Sequence, residues 1–364
     1  MLCPQCNKSS TKREREGGKC PQCGRPFRFD PPDPLSDYEI EKAISDLSQK
    51  GAHKFTRQQL VAEIERHLVK REHKRLDALL SLVTENTAAP YVLAFVALGV
   101  AAVMFLVEVY PLTFMLVVAA MGLVVYAIKR EAPEVTRRRL TEGRVPHDTR
   151  AAAIVSRWVS MGEPKGLLPA ERQHATRRKN AREFDLHSFG FDRVVVVQGD
   201  ETVDMLVANR FHFDHNAAIV SFSGYPSHVA DIVRKQMESG NTHAHVFLLH
   251  DASTEGFRLA DTWRKSGWAA KSSLVRVGLA PRQVAKVLPV RPPTPGPPPD
   301  WVKPEDAAWL QNGSIPLSSM RPIQIMTMLF NAMTNVQRYE DANTGTDFLV
   351  VGFDSASDSS FDFG

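Results

Sequence analysis

All four cysteines of this 364-residue chain stand in two pairs, Cys3-Pro4-Gln5-Cys6 and, 13 residues further on, Cys20-Pro21-Gln22-Cys23. A Cys-x-x-Cys turn presents two soft thiolates to one ion, and two such turns complete the tetrahedral set that zinc prefers. Asn7 and Gly24 follow the pairs and tolerate the left-handed backbone that such knuckles use. The spacing predicts a zinc ribbon over residues 1–30, with Zn2+ held by Cys3, Cys6, Cys20 and Cys23; disulfide pairing is the lesser alternative in a reducing surround. Four cysteines close the site, so its metal is expected to be structural. Ribbons bind protein or nucleic acid, and these residues leave both open. Phe27 and Phe29 suit packing as readily as base stacking.

A second group lies in the C-terminal half. His250 and Asp251 end the most apolar run, His245-Val246-Phe247-Leu248-Leu249-His250, and Glu255 follows in Asp251-Ala252-Ser253-Thr254-Glu255-Gly256. Asp251, His250 and Glu255 are the candidate catalytic residues, although Glu255, like Glu201 and Asp261, also reads as a solvated helix charge. His212, His215, His228, His243 and His245, with Asp214, allow a second divalent site of imidazole and carboxylate. Single-residue alternation such as His243-x-His245 is equally the mark of a polar sheet edge. No Gly-rich phosphate loop stands between a strand and a helix, no Gly-x-Ser-x-Gly elbow occurs, and no cysteine remains as a nucleophile. The chemistry leans against an enzyme.

The elements that must position these residues alternate. Arg193–Val197 is a β-branched run of the kind buried on both faces of a parallel sheet, and it ends in Gln198-Gly199-Asp200. Helical, extended, helical, extended, helical and extended stretches follow at 202–209, 217–222, 229–238, 245–250, 257–266 and 274–277. Such alternation predicts a parallel sheet with helices on both faces, over 186–288, and sites at the strand C-termini. The order of an acid or amide plus Gly, then Gly, then Asp-x-x-x-x-Gly at the strand ends resembles a Toprim domain, the metal-binding α/β fold of topoisomerases, primases and some nucleases. That resemblance implies a glutamate where Gln198 stands and an Asp-x-Asp pair where Asp251 and Ser253 stand. Its Gly-x-x-Asp step is also mis-spaced, because Asp204 lies five residues beyond Gly199. Two oxygen ligands are thus neutral, and one carboxylate holds a hard divalent cation poorly. The resemblance implies a catalytically degenerate copy.

Residues 90–128 carry one charge, Glu108, between two apolar halves. Each half is long enough to cross a hydrocarbon core of about 30 Å as a helix. The sequence predicts a two-helix transmembrane hairpin, with Pro111 at the start of the second helix and tyrosines near the interfaces. Basic residues on both flanks place both termini in the cytoplasm, so the expected location is the inner membrane, crossed twice, with the bilayer as one partner. The fold class expected is a multi-domain membrane protein: N-terminal zinc ribbon, transmembrane hairpin and a cytosolic α/β domain, Toprim- or Rossmann-like. The chain also resembles uncharacterised bacterial proteins that join a zinc ribbon to a membrane hairpin, a resemblance that implies no activity.

Two amphipathic helices over 36–85 are expected as a stalk, started by Ser36-Asp37-Tyr38-Glu39 and Thr56-Arg57-Gln58-Gln59. Residues 129–185 form a basic juxtamembrane segment in which Arg177, Arg178 and Lys179 leave a nucleic-acid contact open. Residues 289–300 are proline-rich and predict a stiff extended linker, 301–338 an amphipathic helical segment, and 339–364 an acidic disordered tail or short binding peptide. Net charge is +4 with 24% charged residues, which by itself calls for no polyanionic partner. The reading expected from all this is a membrane-tethered adaptor assembling cytosolic protein partners. The alternatives are a divalent-dependent Toprim-type nuclease or phosphodiesterase built on Asp251, and a membrane tether for nucleic acid. No small-molecule substrate is identifiable.

Overall fold

Four short parallel strands are built from the apolar runs of the C-terminal half: β1 (Arg193–Val197), β2 (Ala217–Ser221), β3 (His245–His250) and β4 (Leu274–Gly278). They hydrogen-bond in the order β2-β1-β3-β4, with Val195 opposite Ile219 on one side and Phe247 on the other. The structure is a computed structural model that describes residues 1–29, 33–85, 147–169, 191–238, 244–265, 274–285 and 288–334. It divides into two units, Met1–Arg66 with Ala151–Gly364, and His67–Arg150. In the second, His147 Nε2 lies 2.9 Å from Glu72 Oε2.

Period-two alternation sorts the sheet residues onto two faces. Val195, Val197, Phe247, Leu249, Val275 and Val277 point into one cluster, and Val194, Val196, Val246 and Leu248 into the other. Val194 to Val197 are all fully buried, each worth about 1.5–3 kcal/mol of transfer free energy. Helices α4 (Asp200–Ala208), α5 (Phe211–Asp214), α8 (Pro281–Val284) and α10 (Pro322–Thr334) belong to the first face; α6 (Ser227–Glu238) and α7 (Thr254–Lys265) belong to the second. In α10 the residues at helical spacing, Ile325, Met328, Leu329 and Ala332, enter the first cluster together with Ile315, Leu317 and Met320.

The N-terminal helices are set by their caps. In α1 (Asp37–Leu47), Ser36 and Glu39 form a reciprocal capping box. At the start of α2 (Arg57–Glu85), Thr56 N–H donates to Gln59 Oε1 at 2.9 Å and Gln59 N–H to Thr56 Oγ1 at 3.2 Å. The first turns of α2 are fastened within unit 1: Gln59 Nε2 donates to Met320 O at 3.1 Å, and Arg321 donates to Glu63 through Nε and Nη2 at 3.1 and 2.7 Å. Arg66 also pairs with Glu63, whose side chain is 1% exposed. Helices α3 (His147–Ser160) and α9 (Pro304–Leu310) complete the described set.

The expected membrane architecture is corrected. Among the described residues no helix is long and apolar enough to cross a membrane. The long helix, α2, is 29 residues but carries charges along its length, and the apolar helix, α10, is 13 residues, about 20 Å at 1.5 Å per residue. The hairpin span 90–128, the Arg177 to Lys179 cluster and the tail 339–364 lie outside the described residues. The fold class is therefore a small four-stranded parallel α/β sheet with helices and a cysteine cluster near the N-terminus. The two-pass inner-membrane location does not stand.

Candidate metal centre and strand-end crevice

The two Cys-x-x-Cys segments fold into matching knuckles. Asn7 N–H donates to Cys3 O and Gly24 N–H to Cys20 O, both at 2.9 Å, and Cys3 N–H and Cys20 N–H reach forward to Lys8 O and Arg25 O. Asn7 (φ 54°) and Gly24 (φ 72°) take the left-handed backbone that each turn demands. The four Sγ atoms all lie within 4.8 Å of one another. Cys3 to Cys23 spans 3.6 Å and Cys6 to Cys20 3.7 Å, close to the edge of about 3.8 Å that a tetrahedron with metal–sulfur bonds of about 2.3 Å requires. Backbone N–H groups of Cys23 and Gln22 bring the Cys20 thiol down to about 6, while, against the Arg25 N–H, burial and the neighbouring cysteines push the Cys23 thiol up to about 11. The cluster is compatible with a metal site such as zinc.

The cysteine-bearing segment is clamped onto the helices that follow it. Asp37, the first residue of α1, accepts the N–H groups of Arg28 at 2.8 Å and Phe29 at 2.7 Å; burial raises its carboxyl above the usual range despite those donors. Phe29 is 1% exposed and faces Trp158 of α3 at 5.9 Å, with Arg157 over Phe29 and Arg28 over Trp158. Phe29 is a packing residue. Arg25 pairs with Glu41 of α1.

The strand-end group is split by the fold. His250, the last residue of β3, is fully buried, with Nδ1 2.8 Å from Asp251 O and its ring edge-on to Phe257 at 4.9 Å. Burial pushes its pKa down to about 4, so at neutral pH it is an uncharged core residue. Gly278 of β4 makes room for it, since a Cβ there would overlap Cε1 and Nε2 of the ring. Asp251 instead borders a crevice between the C-terminal ends of β1 and β3. That is the switch point of the sheet: the chain leaves β1 for one face and β3 for the other, and doubly wound folds keep their ligands there.

In this protein the crevice is spanned by the chain itself. Ala252 and Ile315 exchange backbone hydrogen bonds at 3.0 and 2.9 Å, and Leu317 N–H donates to Asp251 Oδ1 at 2.8 Å. Gln198 Oε1 accepts Asp251 N–H at 2.9 Å and Ser253 Oγ accepts Gly256 N–H at 3.0 Å, so the neutral residues at the Toprim-like positions are backbone acceptors. Asp204 accepts the Tyr225 hydroxyl at 2.9 Å. A cavity of about 370 Å³ remains, lined by Asp200, Glu201, Asp251 and Glu255 with Gln58, Gln198 and Ser318 and, among the described residues, by no basic one. Burial raises Asp251 to about 6, and the Glu255 charge adds to the shift.

Sequence reasoning named Asp251 and Glu255, and both border the cavity; His250 does not. Glu201, read as a solvated charge, lines the cavity and accepts from Gln58 Nε2 at 3.0 Å, whereas Asp261 pairs with Lys265 on the surface. The contributions of Leu317, Ser318 and Gln58 come from distant segments and left no local signal. Among the described residues the four cysteines are the one group of three or more His, Cys, Asp or Glu placed to hold a metal. His212, His215, His228 and His245 enter no such group, and His243 lies outside the described residues. Compared with protein-family models, curated proteins and solved structures, the chain matches none.

Proposed function

We propose that this chain is a scaffold that assembles protein partners without catalysis, with a structural Zn2+ held by Cys3, Cys6, Cys20 and Cys23. One observation carries the reading: the segment through Leu317 covers the switch-point crevice and takes Asp251 as its hydrogen-bond acceptor. The residue most suited to catalysis thereby joins two parts of the fold. An alternative as a divalent-dependent phosphodiesterase is disfavoured because, among the described residues, the cavity's carboxylates form no group of three placed to hold a metal, and without a cation they repel a phosphodiester anion. The matched knuckles and the contacts of Phe29 with Trp158 and Asp37 support a cysteine segment held rigidly against α1 and α3, as a platform for binding requires.

The test is stoichiometry. The full chain, taken from mild extracts through size exclusion, is expected to retain at least one protein in a fixed whole-number ratio, and Asp251→Asn is expected to leave that ratio unchanged. A chain that elutes alone from every extract contradicts the reading.

A further inference from the structure

The segment 289–299 carries seven prolines, and the fold presents them in a way that a plain connector does not need. Its start is fixed. Arg291 N–H donates to Ser314 O at 2.7 Å, Ser314 N–H returns to Arg291 O at 2.9 Å, and Ser314 Oγ donates to Pro292 O at 2.6 Å. The Arg291 guanidinium meets both carboxylate oxygens of Glu65. Its middle is fixed as well, since Thr294 Oγ1 accepts the Glu255 N–H at 3.2 Å.

Between these anchors Pro292, Pro293 and Pro295 are exposed, and Val290 beside them is 48% exposed. Proline rings hold φ near −65° at 292, 293 and 295, and Arg291, Pro292 and Thr294, each before a proline, are driven to extended backbone, so the stretch 292–295 favours polyproline II. That helix has three residues per turn. Pro292 and Pro295 therefore share one edge, while Thr294 is turned toward α7. Gly296, at φ 102° under the Arg258 guanidinium, ends the run.

We propose that the stretch 290–295 is a preformed recognition ridge for a partner protein whose aromatic-lined groove reads polyproline II, of the WW or SH3 kind. The ordering cost that a free proline peptide meets on binding is largely met here by the fold. Arg291 is committed to Glu65, so the groove that fits is one gripping the rings and not one whose acidic pocket seeks an arginine. This rests on the scaffold reading and gives it a class of partner.

The experiment titrates the full chain into a panel of purified WW and SH3 domains, followed by the groove tryptophan fluorescence of each domain. At least one neutral-grooved domain is expected to saturate. Pro292→Ala with Pro295→Ala is expected to weaken it at least about tenfold, and Pro297→Ala, beyond Gly296, less than about twofold. A synthetic peptide spanning 289–296 is expected to displace the domain from the wild-type chain, a result that does not depend on how the variants fold. Saturation of no domain, or equal binding by the double variant, overturns the proposal. A stoichiometric partner retained in full by the double variant removes the ridge and leaves the scaffold reading intact; the lack of any stoichiometric partner removes the scaffold reading.

Discussion

The carboxylate of Asp251 accepts the backbone N–H of Leu317 at 2.8 Å, across 66 residues of sequence. With the Ala252–Ile315 backbone pair, this bond ties the C-terminal segment to the end of β3 beside the switch-point cavity. Next to Asp251 in sequence, His250 is fully buried in the core and does not border the cavity.

These neighbours make opposite contributions to stability against pH. Asp251, held up at about 6, keeps a proton in the folded chain that the unfolded chain releases from about pH 4, so its contribution falls as pH rises from about 4 to 6. His250, held down at about 4 chiefly by burial and further by Arg276, refuses a proton that the unfolded chain takes up below about 6.5, so its contribution falls as pH drops through that window. Each spans at most about 3 kcal/mol, and they oppose. In urea unfolding between pH 4 and 6 the two contributions are expected to offset one another in the wild type. Asp251→Asn should show stability rising with pH, and His250→Gln stability falling. Parallel slopes in all three proteins contradict this assignment.

Gly278→Ala is expected to destabilise by about 1–3 kcal/mol, because the new methyl meets the His250 imidazole inside β4. His250→Ala should cost stability alone yet relieve the Gly278→Ala variant, so the double variant is less unstable than the sum of the two. Additive losses by denaturant titration would show the ring to be elsewhere.

Four strands, both helix-covered faces and the paired cysteines were legible because each rests on short-range regularity: β-branched runs, helical spacing and Cys-x-x-Cys. The strand-end chemistry was half legible. A sequence shows that Asp251 follows an apolar run but not that Leu317 will reach it, nor that Gly278 opens a slot for His250. The membrane expectation took the apolar character of 90–128 as the organising feature, whereas the described core is organised by the sheet and by α10. Glu63, one charge among many in an amphipathic helix, gave no hint that Arg321 would lie against it 258 residues later.

That ion group yields its own expectation. Glu63→Ala leaves the Arg66 and Arg321 guanidinium groups without their shared, nearly buried carboxylate. The loss is expected at about 3 kcal/mol, the low end for a broken buried pair because both arginines keep some contact with water. Restoration by Arg321→Met in the Glu63→Ala background should be partial. A loss under about 0.5 kcal/mol by urea unfolding would mean that the group is screened like a surface pair.

On the zinc reading, one equivalent of zinc is expected by elemental analysis, and Cys20→Ser or chelation by EDTA is expected to remove it. The ribbon then loses its fold and the Phe29 side of Trp158 becomes wet, shifting to the red the fluorescence difference between the wild type and Trp158→Phe. The sheet should persist in far-ultraviolet circular dichroism, because neither of its two core clusters contains a ribbon residue. Unchanged zinc content in Cys20→Ser contradicts the four-cysteine site.

The most direct measurement of the central claim is hydrolysis of bis(p-nitrophenyl) phosphate and of duplex DNA by the full chain, with Mg2+ or Mn2+, between pH 5 and 8. A structural Asp251 predicts no metal-dependent turnover above the buffer rate. Turnover that Asp251→Asn abolishes, in a variant that still unfolds cooperatively above the assay temperature, would show Asp251 to be catalytic and contradict the scaffold.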